Sequence, residues 1–338
     1  MYRRRALALF VGVTAGCGTR STGPTSTPSP ERVTTTGSEP DTATPSPTDT
    51  TTPTARDALE DAVTALNDLY AELEPALASL AVEGLDYELL TDRLQAARTA
   101  LASAEASATD SGANTTDAAT EARLRSLSDT RWIFDRLVRT FVRFREAYDV
   151  HERLHAAYRA NDDTTETGSL SDRFVTLARE AASASSAAAS RYDAMNEFDP
   201  ALDVRYDAFE GPVFRVSDTA EALAPFGQGL ETAIRAREGY RAAVTSYEEG
   251  SYRQARDAFA DLLSDFTDAR DDFEDAEGLS GPLESYLADY RCETRAARLA
   301  CAEYRAACRE QLDEDATAAE RRRERAEERY TECGVRTA

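Results

Sequence analysis

The sequence contains no lysine: all 39 of its basic residues are arginine, and it has only two histidines and one tryptophan. No two cysteines are spaced as C-x-x-C, which argues against a zinc ribbon or a thioredoxin-like dithiol. No apolar run approaches the roughly 20 residues that cross a bilayer as a helix. No Ser/His/Asp set, phosphate-binding glycine loop or dinucleotide fingerprint is present. These absences disfavour a transmembrane protein and most common enzyme classes.

Acidic residues dominate the chain. It has 62 Asp and Glu residues and a formal charge of -23, which becomes -26 without residues 1–16, because these hold three arginines and no acid. Such a charge disfavours nucleic acid as a partner. The composition resembles that of haloarchaeal proteins, which implies an acidic surface kept hydrated in concentrated salt. The acids show no calcium-loop spacing, so we interpret the acidity as an adaptation to solvent.

The first residues have the pattern of an export signal. An arginine cluster precedes a short apolar run and small residues that lead to Cys17. Thr-Ala-Gly-Cys17 resembles a lipobox, and Arg4-Arg5 resembles a twin-arginine signal. The resemblance implies a signal peptide over 1–16 and a lipid on Cys17 that anchors the protein to the extracellular face of the cell membrane. The alternative is a cleaved signal with Cys17 unmodified.

Residues 17–56 form a tract rich in Ser, Thr and Pro with Val33 as its only sizeable apolar residue. It cannot bury enough apolar surface to fold, so we predict a disordered, lipid-tethered stalk with hydroxyls open to O-glycosylation. Asn114 begins an Asn-Thr-Thr sequon in a predicted loop, which makes it a candidate for N-glycosylation.

From residue 57 onward, apolar residues recur every three or four positions, whereas the alternation typical of strands is nearly absent. We predict an all-α fold, an elongated antiparallel bundle of about eight helices over 57–338. The predicted helices cover 57–81, 86–108, 118–160, 170–196, 217–249, 252–276, 281–312 and 315–333. Both one long bundle and two sub-bundles hinged near 197–216 fit this pattern.

The two histidines stand in His151-Glu-Arg-Leu-His155, which matches H-E-x-x-H. The pattern resembles the motif of zinc metallopeptidases. The resemblance implies that His151 and His155 bind zinc, that Glu152 is the general base, and that Glu166 or Glu180 is a third ligand.

The same histidines also continue a heptad seam of the coiled-coil type. Its members step by three and four residues: Phe134, Leu137, Phe141, Phe144, Tyr148, His151, His155 and Tyr158. In this interpretation the histidines are hydrogen-bonded across the bundle and no cofactor is bound. A symmetric di-iron site would need a second Glu-x-x-His pair, for which the chain has no histidine.

Residues 247–263 resemble the turn and second helix of a single tetratricopeptide repeat. The resemblance implies that Gly250 permits the tight turn, that Tyr252 and Ala255 pack two helices closely, and that Phe259 enters their shared core. No second copy follows, so we predict a helical hairpin rather than a peptide-binding superhelix.

Four cysteines remain if Cys17 is lipidated, an even number in an oxidising compartment, where disulfides are the default. An antiparallel hairpin of the last two helices would bring Cys292 near Cys333, and their bridge would hold a final helix that has little apolar surface. Cys301 and Cys308 lie about 10 Å apart on one helix, too far to bridge each other. They pair elsewhere, stay buried as thiols, or pair between chains.

Arginines crowd residues 123–145, where seven of them face only two acids, with Trp132 among them. One interpretation is a site for an anionic partner such as a lipid surface or an acidic glycan. The other is that the arginines pair with acid-rich neighbours such as 265–277, while their stems cover the core.

The sequence patterns for export, membrane anchoring and helix packing are complete. Each catalytic or metal-binding motif, in contrast, lacks one of the residues that it needs. The sequence therefore favours a cell-surface lipoprotein whose helical module binds or scaffolds an unidentified surface protein or glycan without catalysis. The alternative is a zinc-dependent hydrolase centred on the HERLH motif.

Overall fold

The computed structural model describes residues 54–82, 84–110, 118–160 and 164–333. Within these ranges it has eight α-helices, one 3-10 turn and no strand, which confirms the all-α antiparallel bundle. None of the described helices combines the length and the apolarity needed to cross a bilayer. The predicted signal peptide, Cys17, Asn114 and nearly all of the predicted stalk lie outside the described residues.

The helices belong to one compact unit. In chain order they are α1 (Ala55–Ser79), α2 (Tyr87–Asp110), α3 (Ala118–Ala160), α4 (Thr164–Asp193), α5 (Tyr206–Glu248), α6 (Tyr252–Asp275), the 3-10 turn (Gly281–Leu283), α7 (Glu284–Leu312) and α8 (Ala316–Thr331). At 1.5 Å per residue, α3 and α5, with 43 residues each, are about 65 Å long.

Helix α5 begins at Tyr206 rather than at the predicted residue 217. Pro212 lies inside it, and an interior proline costs a helix about 3 kcal/mol. Phe209, Val213 and Val216 recur at helical spacing and are all buried, and each gains roughly 1.5–3 kcal/mol from burial. Burial therefore offsets the proline and extends the helix. Two sub-bundles hinged near 197–216 stay a prediction. The second half of that range, residues 206–216, belongs to α5.

Two other helices also begin before the predicted residue. Helix α1 starts at Ala55, inside the tract assigned to the stalk, because the side chain of Thr54 accepts from the backbone of Asp57 and the Asp57 carboxylate accepts from Thr54 in return. Helix α4 starts at Thr164 rather than 170, and Leu170 is already buried in its second turn.

The predicted seam on α3 faces the core. Phe134, Leu137 and Phe141 are fully buried, as is His151 further along the same face. The apolar core has two clusters of buried side chains. The larger one draws on α1 to α5, the last turns of α6 and the start of α7, and the smaller one on the ends of α5 and α7 with α6 and α8.

The α5–α6 hairpin has the turn and packing expected from residues 247–263. Gly250 adopts a φ of 80°, a left-handed conformation that favours glycine. Ala255 and Phe259 are fully buried, and a Cβ at Gly239 would lie 2.9 Å from Leu262, so glycine there lets the two helices approach closely.

Candidate functional site

Both histidines of HERLH lie on one face of α3, as the seam predicted. His151 is 0 % exposed and packs between Phe174 of α4 and Phe226 of α5, with ring centroids 6.3 and 5.6 Å away. Burial and, to a lesser extent, the neighbouring His155 lower its pKa to about 3. His155 is partly buried, and desolvation lowers its pKa as well. Both imidazoles are therefore neutral at pH 7.

A tyrosine hydroxyl from α7 lies between the two imidazoles. The Tyr290 Oη is 2.7 Å from His155 Nδ1 and 3.3 Å from His151 Nε2. Burial raises the pKa of Tyr290 well above its usual value, so the phenol keeps its proton and can donate only once. The Nδ1 of His151 is buried and lacks a hydrogen-bond partner among the described residues.

These contacts assign the protons, since a buried N–H without an acceptor costs more than a bare lone pair. His151 carries its proton on Nε2 and donates it to Tyr290. Tyr290 then donates to His155 Nδ1, which leaves the His155 proton on Nε2. The result is a directed chain of hydrogen bonds through three neutral groups.

Glu152, the general base implied by the zinc resemblance, turns towards a second tyrosine. Its Oε1 accepts a hydrogen bond of 2.9 Å from the Tyr286 hydroxyl and lies 3.9 Å from His151 Nδ1. Tyr286 also covers both imidazoles edge-on, with ring centroids 4.5 Å from His151 and 4.8 Å from His155.

The two candidate third ligands pair with arginines instead. Glu166 lies 2.9 Å from Arg153, and Glu180 lies 2.7 Å from Arg143. Across the parts of the chain that the structure describes, no three His, Cys, Asp or Glu side chains group in a way that would hold a metal ion.

A buried carboxylate, paired with an exposed arginine, continues this polar layer by one turn. Glu293 of α7 is only 2 % exposed, and its Oε2 accepts a 2.8 Å hydrogen bond from the Tyr158 hydroxyl. Its other oxygen lies 2.6 Å from Arg159. Oε2 thus has a hydrogen bond, whereas Oε1 has the charge of Arg159 nearby but no hydrogen-bond partner among the described residues.

A second arginine enters the same layer from α5. Arg237 is 5 % exposed, donates from Nη1 to the Tyr158 carbonyl at 3.0 Å, and holds its guanidinium 4.2 Å from the centre of the Tyr158 ring. Its Nε donates to the Tyr330 hydroxyl of α8 at 3.3 Å. The layer thus joins four helices close to where the two apolar clusters meet.

Sequence reasoning missed Glu293 and Arg237, although a signal was present. Glu293 falls between Tyr290 and Ala297 at steps of three and four residues, a charged residue in an otherwise apolar seam. Arg237 likewise lies three residues after Ile234 and three before Tyr240. A charge at a core position predicts a buried partner on another helix.

The structure joins Cys292 and Cys333 in a disulfide with Cα atoms 5.8 Å apart, which is the pair that the α7–α8 hairpin was expected to bring together. Within the described residues Cys301 and Cys308 are unpaired and fully buried, as expected in the alternative of buried thiols. Burial raises the pKa of Cys308 to about 11 and that of Cys301 further, which keeps both protonated.

The arginine-rich part of α3 borders a cleft. Its first cavity, of about 460 Å³, is walled by Arg98 of α2, by Arg136, Arg139 and Arg143 of α3, and by part of α4. A second cavity of about 530 Å³ follows between α3 and α4, and Arg131 and Trp132 line it. Trp132 and Arg136, one in each cavity, contact each other with the guanidinium 4.9 Å from the ring centre. We call the two cavities together the arginine groove.

Acids near the groove pair with several of these arginines. Asp135 binds Arg98 at 2.5 Å and Arg139 at 3.2 Å. Elsewhere on α3, Arg123 binds Asp199 at 2.7 Å. The prediction that residues 265–277 supply the partners is wrong, because the partners come from α3 itself, from α4 and from the α4–α5 connection, which lie closer to this face.

No family model matches the chain, and no curated protein and no solved structure matches it.

Proposed function

We propose that this protein is a non-catalytic helical module that binds or scaffolds a partner at the cell surface, anchored to the outer face of the membrane by a lipid on Cys17. The non-catalytic part rests on one observation, the Tyr290 hydroxyl between the two imidazoles. A zinc hydrolase needs both imidazoles to turn a free nitrogen towards one metal, with a carboxylate nearby to activate its water. In this protein one nitrogen of each imidazole faces a protonated phenol instead.

The surrounding contacts support the same proposal. Glu152 is hydrogen-bonded to Tyr286, and the two candidate third ligands, both on α4, are paired with arginines of α3. The polar layer connects α3, α5, α7 and α8, which is what a structural network in a long bundle is expected to do. A buried network of this kind favours one helix register over others.

Metal analysis tests the non-catalytic part. The protein is purified without chelator, and zinc is measured by mass spectrometry in the native chain and in the His155→Ala variant. We expect a zinc content far below one per chain in both. A stoichiometric amount in the native chain that disappears in His155→Ala would overturn the proposal in favour of a zinc-dependent hydrolase. Circular dichroism establishes that the variant is folded.

Fractionation tests the anchor. The lipobox and the Ser/Thr/Pro tract after it support a lipid on Cys17, so the Cys17→Ser variant should leave the membrane fraction and appear in the medium. Cys308→Ser is the matched control, because it removes a thiol elsewhere in the chain and should leave the protein in the membrane. Retention of Cys17→Ser in the membrane would contradict the proposal.

A further inference from the structure

The arginine groove concentrates positive charge in a protein that is otherwise strongly acidic. Its two cavities are lined by six arginines and three acids, in a chain of formal charge -23. The lining arginines are Arg98, Arg131, Arg136, Arg139, Arg143 and Arg191. A local surplus of cations in a concave site focuses the electrostatic potential and attracts anions.

Two of these arginines have no acidic partner among the described residues, although the guanidinium of Arg136 contacts Trp132. Arg131 and Arg136 have no ion pair with any described residue, whereas each acid of the groove already binds an arginine: Asp129 binds Arg191, Asp135 binds Arg98 and Arg139, and Glu180 binds Arg143. The Nε of Arg136 is buried and has no hydrogen-bond partner in the described part of the chain. Unpaired donors of this kind are suited to an incoming carboxylate.

The rest of the groove has the surfaces that a sugar chain needs. Trp132 is partly exposed in the second cavity and offers a flat apolar face on which a sugar ring can stack. The opposite wall is the Ala/Ser run of α4, where Ser183 and Ser190 expose hydroxyls and Ala187 leaves room. From residue 128 to residue 143 the groove follows α3 for about 22 Å, the length of several sugar rings.

We propose that the arginine groove binds an acidic oligosaccharide that carries a carboxylate on successive sugar rings. The inference rests on the proposed function, since it names the ligand class of the binding module. The cations are spread along the groove instead of converging on one point, which matches a chain of separated charges better than a single phosphate.

Two other polyanions fit less well. A nucleic acid duplex carries one charge per roughly 1.7 Å, so the acidic remainder of the protein would repel it far more strongly than a sugar chain with one charge per ring. A bilayer presents a plane of headgroups, whereas Trp132 and the unpaired Arg136 line concave cavities.

Trp132 provides the assay, because it is the only tryptophan in the chain and its emission reports on this groove alone. The folded full-length chain is titrated with pentagalacturonate, with maltopentaose as the neutral sugar of equal length, in about 0.15 M salt, where charges within 8 Å still interact. We expect a saturable change in Trp132 emission, and binding heat by calorimetry, with pentagalacturonate only.

A pair of double variants locates the site. Arg131→Gln with Arg136→Gln should weaken Kd for pentagalacturonate at least about tenfold. Arg253→Gln with Arg321→Gln removes the same charge from exposed positions on α6 and α8 and should change Kd less than twofold.

Three results would overturn the groove assignment: no binding heat, equal weakening in both double variants, or tighter binding to phosphatidylglycerol vesicles than to pentagalacturonate. None of them bears on zinc at His155, so a failure here is distinguishable from a failure of the proposed function.

Discussion

Acidification from pH 7 to pH 5 should destabilise the protein through His151. The folded chain holds the pKa of this imidazole at about 3, because the ring is buried among Phe174, Phe226, Tyr286 and Tyr290. In the unfolded chain the pKa returns to 6.5. Between these two pKa values the unfolded state binds a proton that the folded state does not bind. The free energy of unfolding therefore falls as the pH drops below 6.5.

The magnitude follows from the two pKa values. Each pH unit between them costs about 1.4 kcal/mol, so that the loss at pH 5 is about 2 kcal/mol relative to pH 7. Above pH 6.5 the contribution is fully present, and it continues to fall until the pH reaches the folded value near 3. His155 adds a loss of the same sign, because its pKa is also lowered.

Urea unfolding at pH 7 and pH 5 in constant salt measures this loss, with the native chain and His151→Phe compared. Phenylalanine fills the apolar pocket and cannot titrate, so the native chain should lose about 2 kcal/mol more than the variant between the two pH values. The carboxylates shared by both proteins cancel in this difference. An equal loss in both proteins, or an NMR titration in which the His151 ring protonates near pH 6.5, would refute the reasoning.

Three further predictions concern stability. Glu293→Ala removes the buried acceptor of Tyr158 and should cost about 1–3 kcal/mol, measured by urea unfolding. Asp289→Ala changes an exposed acid on the same helix and should cost less than about 0.5 kcal/mol. Cys292→Ser opens a loop of sequence separation 41 and should lower the free energy of unfolding by about 4 kcal/mol; reduction of the native disulfide should have the same effect. Gly250→Ala forces a side chain into a φ of 80° and should cost about 1–2 kcal/mol.

Each of these has an outcome that contradicts it. Similar losses in the Glu293 and Asp289 variants would show that the buried carboxylate contributes no more than an exposed one. Unchanged stability after Cys292→Ser would mean that the disulfide does not restrict the unfolded chain. A neutral Gly250→Ala would place the α5–α6 turn in another conformation.

Much of the fold was predictable from local patterns, because helix periodicity is a short-range property. The three- and four-residue spacing placed all eight helices, and the seam on α3 correctly put His151 on the buried face. The start of α5 was predicted too late, since Pro212 is an unfavourable local signal that the burial of Phe209 and Val213 overrides. Where a local signal and burial disagree, packing decides where the helix begins, and packing involves residues from other helices.

The candidate site shows more clearly which features follow from the sequence and which depend on tertiary contacts. The sequence by itself determined that two histidines lie one turn apart on a seam, that arginines crowd one part of α3, and that Cys292 and Cys333 face each other in a terminal hairpin. Only the tertiary structure brought Tyr290 to within hydrogen-bonding distance of His155, 135 residues away. A single sequence carries no signal for contacts at such separation, because they depend on how helices pack side by side. The tertiary structure thus decided what surrounds HERLH, and within the described residues it placed Arg131 and Arg136 in an open groove without an ion pair.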